Sequence, residues 1–248
     1  MRLFQNLRRY LAFSVKEETS APMAYDLWAG QYDNQPDNLM LVLDEQLVSA
    51  FIGKIPIESR IIADIGCGTG RHWQKIMDRG PARLVGYDVS ANMLRRLHEK
   101  FPQAATQLIQ ENNFDFLPYN AFDLLLSTLT IAHIRDLGPA LSNWSRSMRP
   151  GADLVITDFH PKALAKGAKR CFLAGGQQVT ILNFVHPIEH IEKICKSLQL
   201  KMIRKEEICT DELVKSFYEK QNALELYNDY YGTPIIYALH LKKSYAVN

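Results

Sequence analysis

Residues 61–70 read Ile-Ile-Ala-Asp-Ile-Gly-Cys-Gly-Thr-Gly, an apolar run with a carboxylate at Asp64 that breaks into alternating glycines. This pattern predicts a buried strand followed by a tight turn, in which glycines let the backbone approach a ligand closely. A second apolar run, residues 84–87, ends in Asp88. An acid at the tip of the second strand is where nucleotide-binding α/β folds hold a ribose. The two runs together therefore predict a site for a nucleoside.

The spacing of the glycines indicates which kind of cofactor the turn would bind. A dinucleotide site has Gly-x-Gly-x-x-Gly, so that a pyrophosphate lies at a helix N-terminus. Here the spacing is Gly-x-Gly-x-Gly, and an acid precedes the first glycine by two residues. That carboxylate would repel a pyrophosphate but would suit a cation such as an ammonium or a sulfonium. The run resembles the first motif of the class I S-adenosylmethionine-dependent methyltransferases.

The resemblance extends over roughly residues 25–151 and is closest to the branch with the ubiquinone and menaquinone biosynthesis methyltransferases and many small-molecule tailoring enzymes. It implies S-adenosyl-L-methionine as the cofactor and S-adenosyl-L-homocysteine as the product. Asp64 would lie at the methionine end, Asp88 would accept both ribose hydroxyls, and Met93 would lie against the adenine. The cofactor-binding residues that the resemblance implies are Tyr25, Tyr32, Asp64, Gly66, Cys67, Gly68, Gly70, Asp88, Val89, Met93, Asn112, Asn113, Phe114 and Ser127.

Two parts of this set leave alternatives open. The branch often has an acid and a small residue after its third strand, and Asn113 and Phe114 take those positions here. An asparagine oxygen can still accept a hydrogen bond from the adenine amino group, although Asn112 or Asp115 could fill that role instead. The resemblance also implies that the segment around Tyr25 folds over the cofactor, and ordinary aromatic packing is the alternative.

Apolar strands alternate with helical segments along most of the chain, which predicts an α/β fold with a doubly wound, parallel sheet. The resemblance adds a Rossmann-like, seven-stranded sheet whose last strand is antiparallel. We expect residues 1–38 to form an N-terminal helical lid, and residues 39–248 a methyltransferase domain with an insertion, residues 160–186, that forms a flap after strand five. The predicted strands are residues 60–65, 83–87, 106–110, 122–127, 153–158, 201–209 and 234–242. The predicted helices are residues 39–52, 71–77, 137–148, 187–198 and 211–227, with another that begins near Ser90 as its N-cap.

The composition sets limits on partners and compartment. The chain has 248 residues and a net charge of +2, which argues against a surface that coats nucleic acid. Its four cysteines form no Cys-x-x-Cys motif, so neither a zinc site nor a disulfide framework is indicated, and a reduced cytoplasmic compartment fits best.

No apolar run approaches the roughly 20 residues of a membrane span. Residues 1–15 have apolar side chains at helical spacing, which predicts a short helix packed over the domain, with contact to a membrane surface as the alternative.

Methyl transfer from a sulfonium is an in-line displacement that can be catalysed mainly by positioning and by desolvation of the charged donor. A base is needed only when the nucleophile carries a proton through the reaction. His160 and His133 are our candidate catalytic residues because histidine titrates near neutrality. His160 also follows strand five at the edge where such sheets bind ligands. His186 is a further candidate, and a structural role is the alternative for each histidine.

The sequence thus predicts S-adenosylmethionine-dependent methylation of a small organic acceptor at oxygen, nitrogen or carbon. Methylation of RNA or protein is one alternative, and a catalytically silent partner subunit that binds the cofactor is another. We expect two segments, residues 1–38 and 160–186, to select the acceptor because they cover the sheet. Phe172 and Phe184 favour a planar or partly apolar acceptor. The insertion also has a basic run that could meet an anionic substrate or could be a solvated face: Lys162, Lys166, Lys169 and Arg170.

Overall fold

The computed structural model describes residues 18–110 and 112–245, and the helix expected over residues 1–15 lies outside these ranges. A seven-stranded sheet runs through the described chain in the order β3-β2-β1-β4-β5-β9-β8. Strands β1 to β5 pair in parallel, and β9 is antiparallel to both of its neighbours. These strands are β1 (Ile61–Ile65), β2 (Arg83–Asp88), β3 (Ala105–Leu108), β4 (Phe122–Thr128), β5 (Met148–Phe159), β8 (Leu200–Cys209) and β9 (Pro234–Lys243). The expected fold class, with its antiparallel last strand, is confirmed.

Helices cover both faces of the sheet, and the strand residues alternate between the two apolar layers. Ile62 and Val155 pack in one layer, while Ala63 and Ile156 pack in the other. Because both faces are buried, the central strands are apolar at nearly every position, as in the sequence. The helices are α1 (Ala21–Trp28), α2 (Leu39–Ile52), α3 (Trp73–Met77), α4 (Ala91–Lys100), α5 (Leu137–Ser147), α6 (Pro161–Ala165), α7 (Ile188–Ser197), α8 (Lys215–Lys220) and α9 (Leu224–Tyr230).

The predicted N-cap of α4 is present. The Ser90 side chain accepts a hydrogen bond from the Met93 backbone N–H at 3.1 Å, which satisfies one of the free donors of the first turn. The cap fixes where α4 begins and therefore where the end of β2 meets the helix. Since Asp88 is two residues before the cap, α4 starts beside the acid that the sequence places at the ribose.

Two elements differ from the expectation. A turn would have to join the predicted helix, residues 137–148, to the predicted strand, residues 153–158, but β5 already begins at Met148, which pairs with Phe122 before the register shifts. The turn residues therefore form an irregularity inside the strand, where Gly151 has a φ of 78°. The helix expected over residues 211–227 is instead two short helices, α8 and α9. Asn222, with a φ of 54°, separates them because a left-handed residue ends a helix.

The insertion forms a flap that is joined to the N-terminal cover. Its hairpin consists of β6 (Cys171–Ala174) and β7 (Gln177–Thr180), and the turn between them has Gly175 and Gly176 at positive φ, as tight hairpin turns require. The backbone N–H of Thr19 donates to the Thr180 carbonyl at 2.8 Å. The rings of Trp28 and Phe172 stack with centroids 4.6 Å apart and planes 2° apart. Flap and α1 therefore form one continuous cover over the carboxyl edge of the sheet.

Candidate active site

The glycine turn after β1 leaves backbone open at the carboxyl edge of the sheet. Gly66 has a φ of 72°, and its N–H donates to the Tyr87 carbonyl at 2.7 Å, which fixes the turn against β2. A Cβ at this position would collide with the Thr130 side chain. At Gly68, with a φ of 53°, a Cβ would have no heavy atom within 4 Å. The turn therefore needs glycine for its backbone at both positions, and beside Gly68 it leaves space for a ligand.

Asp88 joins the glycine turn to the start of α4. Its Oδ2 accepts from the Gly68 backbone N–H at 2.7 Å, and its Oδ1 accepts from the Ser90 backbone N–H at 2.8 Å. The side chain is buried, and burial raises the pKa of Asp88 to about 6. A carboxylate held by two amides at the end of the second strand has the fixed position that hydrogen bonding to a ribose requires.

Asp64 is a second buried carboxylate beneath the turn, and one of its oxygens is unsatisfied. Its Oδ2 accepts from the Trp73 indole N–H at 2.8 Å. Its Oδ1 has no hydrogen-bond partner in the part of the chain that the structure describes. Burial raises the pKa of Asp64 to about 6. An incompletely paired buried carboxylate disfavours an anionic ligand and suits a cationic one, so these residues fit the methionine end of the cofactor implied by the sequence.

A narrow cavity of about 60 Å³ lies between this turn and α1. Nine of the expected cofactor-binding residues line it: Tyr25, Tyr32, Gly66, Gly68, Asp88, Val89, Met93, Asn112 and Phe114. His133, a candidate catalytic residue, lines it as well. The structure therefore gathers most of the expected set around one space, although the residues are spread over more than a hundred positions of the chain.

The other five expected residues do not line this cavity. Asp64 lies beneath the turn, as described above. Cys67 and Gly70 pack inward, since a Cβ at Gly86 would contact the Cys67 sulfur and one at Gly70 would lie 3.1 Å from Leu97. Ser127 is fully buried within β4. The Asn113 carbonyl accepts from the Asn143 side-chain amide at 2.8 Å, on the side of α5.

The residues that follow Ser127 line the cavity in its place: Thr128, Leu129 and Thr130. The order of the predicted strands could have indicated these residues, because neighbouring parallel strands end at the same edge of a sheet. Strand β4 pairs in parallel with β1, and Ser127 is the partner of Ile65. Because the glycine turn starts after Ile65, the residues beyond Ser127 lie level with the turn. Ser127 itself lies inside the strand, one residue before the part of the chain that lines the cavity.

His133 is the centre of a buried polar cluster next to the cavity. Its Nδ1 lies 3.2 Å from the Leu182 carbonyl oxygen, to which it must donate. Its Nε2 then accepts from the Tyr25 hydroxyl at 2.9 Å and from Arg170 Nη1 at 2.7 Å. Burial and the Arg170 guanidinium lower the pKa of His133 well below its usual value of 6.5. The imidazole is therefore neutral at pH 7, and the lone pair that a base would use already accepts two hydrogen bonds.

His160 is not brought into the cavity. Its Nδ1 accepts from the Lys162 backbone N–H at 3.1 Å and so caps α6. Its Nε2 lies 3.5 Å from Glu207 on β8. The expected position at the end of β5 is correct, but the side chain points toward β8. His186 also lies outside the cavity, and its Nε2 bonds the Ile134 carbonyl at 2.7 Å.

A second, larger cavity of about 470 Å³ adjoins the first. The two share three lining residues, which mark their junction: Tyr25, Tyr32 and Leu129. Most of the other residues around the larger cavity are apolar or aromatic. They come from α1, the start of α2, the flap and the pair of short helices α8 and α9, together with Phe159 of β5 and Ile235 of β9. A molecule in this cavity would therefore reach the junction, beside any ligand held by the glycine turn.

Comparisons with known proteins agree with this geometry. The sequence profile of the family described as a methyltransferase domain matches residues 63–156. Residues 63–156 thus match a methyltransferase domain, as the resemblance to the class I S-adenosylmethionine-dependent methyltransferases implied. The family, the enzyme class and the cofactor expected from the sequence are confirmed for this domain. Among the helices within residues 18–110 and 112–245, none has the length and apolarity needed to cross a membrane.

Two curated relatives of the methyltransferase domain indicate how far the similarity extends. A malonyl-[acyl-carrier protein] O-methyltransferase of Yersinia pestis is 29% identical over 142 residues, which are 55% of this chain and 49% of the relative. A trans-aconitate 2-methyltransferase of Afipia carboxidovorans is 36% identical over 107 residues, 42% of this chain and 41% of the relative. The chain therefore spans about half the length of the relatives that it matches, or less.

Solved structures extend the likeness in fold to nearly the whole chain. An S-adenosylmethionine-dependent methyltransferase from Mesorhizobium loti has a TM-score of 0.60 at 18% identity, covering 76% of this chain and 93% of that one. The [4+2]-cyclase SpnF has a TM-score of 0.66 at 13% identity, covering 93% of this chain and 99% of that one. The second structure is that of a cyclase, so one fold can carry different reactions and the residues of the site determine the activity.

The two buried carboxylates predict that cofactor affinity depends on pH. Since the pKa values of Asp64 and Asp88 are raised to about 6, both are ionised at pH 7.5 and mostly protonated at pH 5. Protonation removes the negative charge that attracts a sulfonium ligand and occupies an acceptor oxygen. We expect the affinity for S-adenosylmethionine to be constant above pH 7 and at least about tenfold weaker at pH 5, because only a fraction of the protein is then competent to bind. Calorimetric titration between pH 5 and pH 8 measures this.

The control for the pH dependence is the Asp64→Asn, Asp88→Asn double variant, which cannot titrate at these positions. Its affinity is expected to be weak at every pH and nearly flat across the same range. A wild-type profile as flat as that of the double variant would contradict the involvement of the carboxylates.

Proposed function

We propose that this chain transfers a methyl group from S-adenosylmethionine to a small organic acceptor. The observation that carries the proposal is the meeting of two cavities. One is bordered by the glycine turn and Asp88, the other is large and mainly apolar, and both reach Tyr25, Tyr32 and Leu129. In-line transfer requires the acceptor atom to approach the methyl group from the side opposite the sulfur, and two adjoining cavities supply that geometry.

In this proposal different residues contact the methionine end, the ribose and the adenine of the cofactor. The open backbone at Gly68 faces the methionine end, the buried Asp64 carboxylate beneath the turn adds its negative charge there, and Asp88 holds the ribose. Met93 and Phe114, which are both buried and line the same cavity, contact the adenine, with Asn112 beside it. When bound, S-adenosylmethionine supplies an electrophilic methyl group on a positively charged sulfur.

The side chains at the junction act by positioning and by excluding water. Burial raises the pKa of both Tyr25 and Tyr32, so each keeps its hydroxyl proton at neutral pH and can donate a hydrogen bond. The neutral His133 ring accepts from Tyr25 and thereby fixes the position of that hydroxyl. None of the described side chains at the junction is a free base at pH 7. The protein therefore contributes orientation and desolvation, while the acceptor loses its proton to solvent or after transfer.

The alternative functions, which are methylation of RNA or protein and a catalytically silent subunit, predict different behaviour in solution. The net charge of +2 and the mainly apolar second cavity, whose volume is about 470 Å³, support a small acceptor over RNA or a protein surface. A catalytically silent partner subunit would bind the cofactor but would transfer nothing by itself. The cytoplasmic location and the assignment of residues 1–38 as a lid stay predictions.

Calorimetry with S-adenosylmethionine, S-adenosylhomocysteine and NAD tests the proposal at its first step. We expect S-adenosylmethionine and S-adenosylhomocysteine to bind with micromolar dissociation constants and NAD not to bind, because the carboxylate at Asp64 suits a cation rather than a pyrophosphate. Incubation with methyl-labelled cofactor and a metabolite extract then tests transfer. Binding of NAD without S-adenosylmethionine would overturn the cofactor assignment. Cofactor binding without label transfer would favour the silent subunit.

A further inference from the structure

The larger cavity has an apolar wall that the core of the protein leaves only half-buried. The side chains of this wall pack against the main apolar layer on one side and line the cavity on the other: Met40, Leu41, Phe159, Phe217, Leu226 and Tyr230. The last three come from α8 and α9, a part of the chain that the sequence analysis did not assign to the site. A third segment therefore lines the cavity, beside the N-terminal cover and the flap.

The cations around this cavity are already offset by nearby anions or carbonyl groups. Arg170 is paired with the buried carboxylate of Asp158. Lys169 lies 3.3 Å from Glu18. The Lys166 ammonium donates to the backbone carbonyl of Asp229, which is an acidic residue that also lines the cavity. Each described cation that lines the cavity therefore already has an anion or a carbonyl oxygen as its partner, and transferring an acceptor with several carboxylates into this mainly apolar space would be costly.

The reacting end of an acceptor has a fixed place in this arrangement. The two cavities meet at Tyr25, Tyr32 and Leu129, so the atom to be methylated lies there. The rest of the molecule must then extend between the flap and the pair α8 and α9. Along that path the contacts are mostly aromatic and aliphatic carbon.

We propose that the acceptor is an uncharged, predominantly apolar molecule, and that α8 and α9 select it through Phe217, Leu226 and Tyr230. This inference rests on the proposed function only in naming the ligand an acceptor. The cavity volume of about 470 Å³ lies within the range of sites that enclose drug-sized ligands. Its selectivity comes from the apolar area that the ligand buries, and the hydroxyls at the junction orient the single polar end.

A homologous series of probes tests the inference without knowledge of the natural acceptor. The probes are 4-propylphenol, 4-pentylphenol and 4-heptylphenol, each uncharged at pH 7.5, with propane-1,2,3-tricarboxylate as the charged comparison. Binding is measured by calorimetry with and without saturating S-adenosylhomocysteine. We expect the affinity to rise about two- to fourfold for each added methylene, and the tricarboxylate to bind more weakly than any of the phenols.

A matched pair of variants locates the binding. Phe217→Ala removes a ring from the wall, and we expect it to weaken binding of 4-heptylphenol about tenfold and of 4-propylphenol less than twofold. Leu213→Ala is the control, because Leu213 lies two residues before α8, is 86% exposed and does not line the cavity. If Phe217→Ala does not fold, as judged by circular dichroism, Leu226→Ala on α9 replaces it.

The outcomes separate this inference from the proposed function. Tighter binding of the tricarboxylate, an affinity that does not depend on alkyl length, or equal effects of the wall and control variants would each overturn the apolar acceptor. Failure of S-adenosylhomocysteine to bind would instead count against the methyltransferase proposal. The phenol series would still report on the cavity, since it is also measured without the nucleoside.

Discussion

Arg170→Met is expected to lower the free energy of unfolding by about 3–5 kcal/mol, since it leaves a buried carboxylate without its counter-ion. Arg170 is 4% exposed and Asp158 is 1% exposed. The other hydrogen bonds of Asp158 come from the backbone N–H groups of Ala132 and Phe159, which lack a positive charge. Urea denaturation followed by circular dichroism measures the change.

Two controls make this prediction specific to burial. Lys169→Met removes the neighbouring cation, whose pairing with Glu18 is exposed, and should cost less than about 1 kcal/mol. The double variant Arg170→Met, Asp158→Asn removes both charges and should recover part of the lost stability. A loss of less than about 1 kcal/mol for Arg170→Met alone would contradict the described pairing.

Arg170 also explains how the flap is attached to the site. Its Nη1 donates to the Leu129 carbonyl at 2.6 Å and to His133 at 2.7 Å. The same side chain therefore joins the flap, the loop after β4 and the end of β5. We expect the tyrosine hydroxyl at the junction to be positioned through this cluster, because Tyr25 bonds the same His133 nitrogen.

The parts of the fold that the sequence predicted well are those that depend on local patterns. The strand β1, the glycine turn and Asp88 follow from an apolar run, from positive φ at glycines and from the position of an acid. The cap of α4 at Ser90 follows from one side chain and the N–H that lies three residues on. In each case the residues that determine the structure are neighbours in the chain.

The missed features depend on contacts between distant residues. Arg170 belongs to a basic run that includes Lys162, and only the tertiary structure separates the buried guanidinium from the exposed ammonium. His160 lies at the predicted edge, but its side-chain direction depends on β8 and β9, which come forty or more residues later. The sequence around Phe217 did not indicate that this ring lines a cavity. A half-buried aromatic residue on a short helix has the same sequence pattern whether it lines a cavity or packs in the core.

Asp88→Ala is expected to weaken the binding of S-adenosylmethionine by about 1.5–3 kcal/mol, which is roughly 10- to 150-fold in the dissociation constant. The change removes a charged double acceptor from the cavity and leaves the Gly68 and Ser90 backbone N–H groups without their partner. Both effects act on the cofactor side of the site, so turnover at saturating cofactor should fall less than affinity. Calorimetry and thermal denaturation, run on the same samples, separate lost contacts from lost stability.

Asp26→Ala is the matched control for this change. Asp26 also bonds the start of α4, where its Oδ1 accepts from the Ser90 hydroxyl at 2.6 Å and from the Asn92 backbone N–H at 3.0 Å, but it does not line the cofactor cavity. If the loss in Asp88→Ala came only from a loosened helix start, Asp26→Ala, which removes both of these bonds, would weaken cofactor binding to a similar degree. We expect it to change affinity by less than about threefold, since the ribose contact remains. An unchanged dissociation constant in Asp88→Ala would place the ribose at another residue. The assignment of the ribose to Asp88 and of the methionine end to the region of Asp64 would then be wrong.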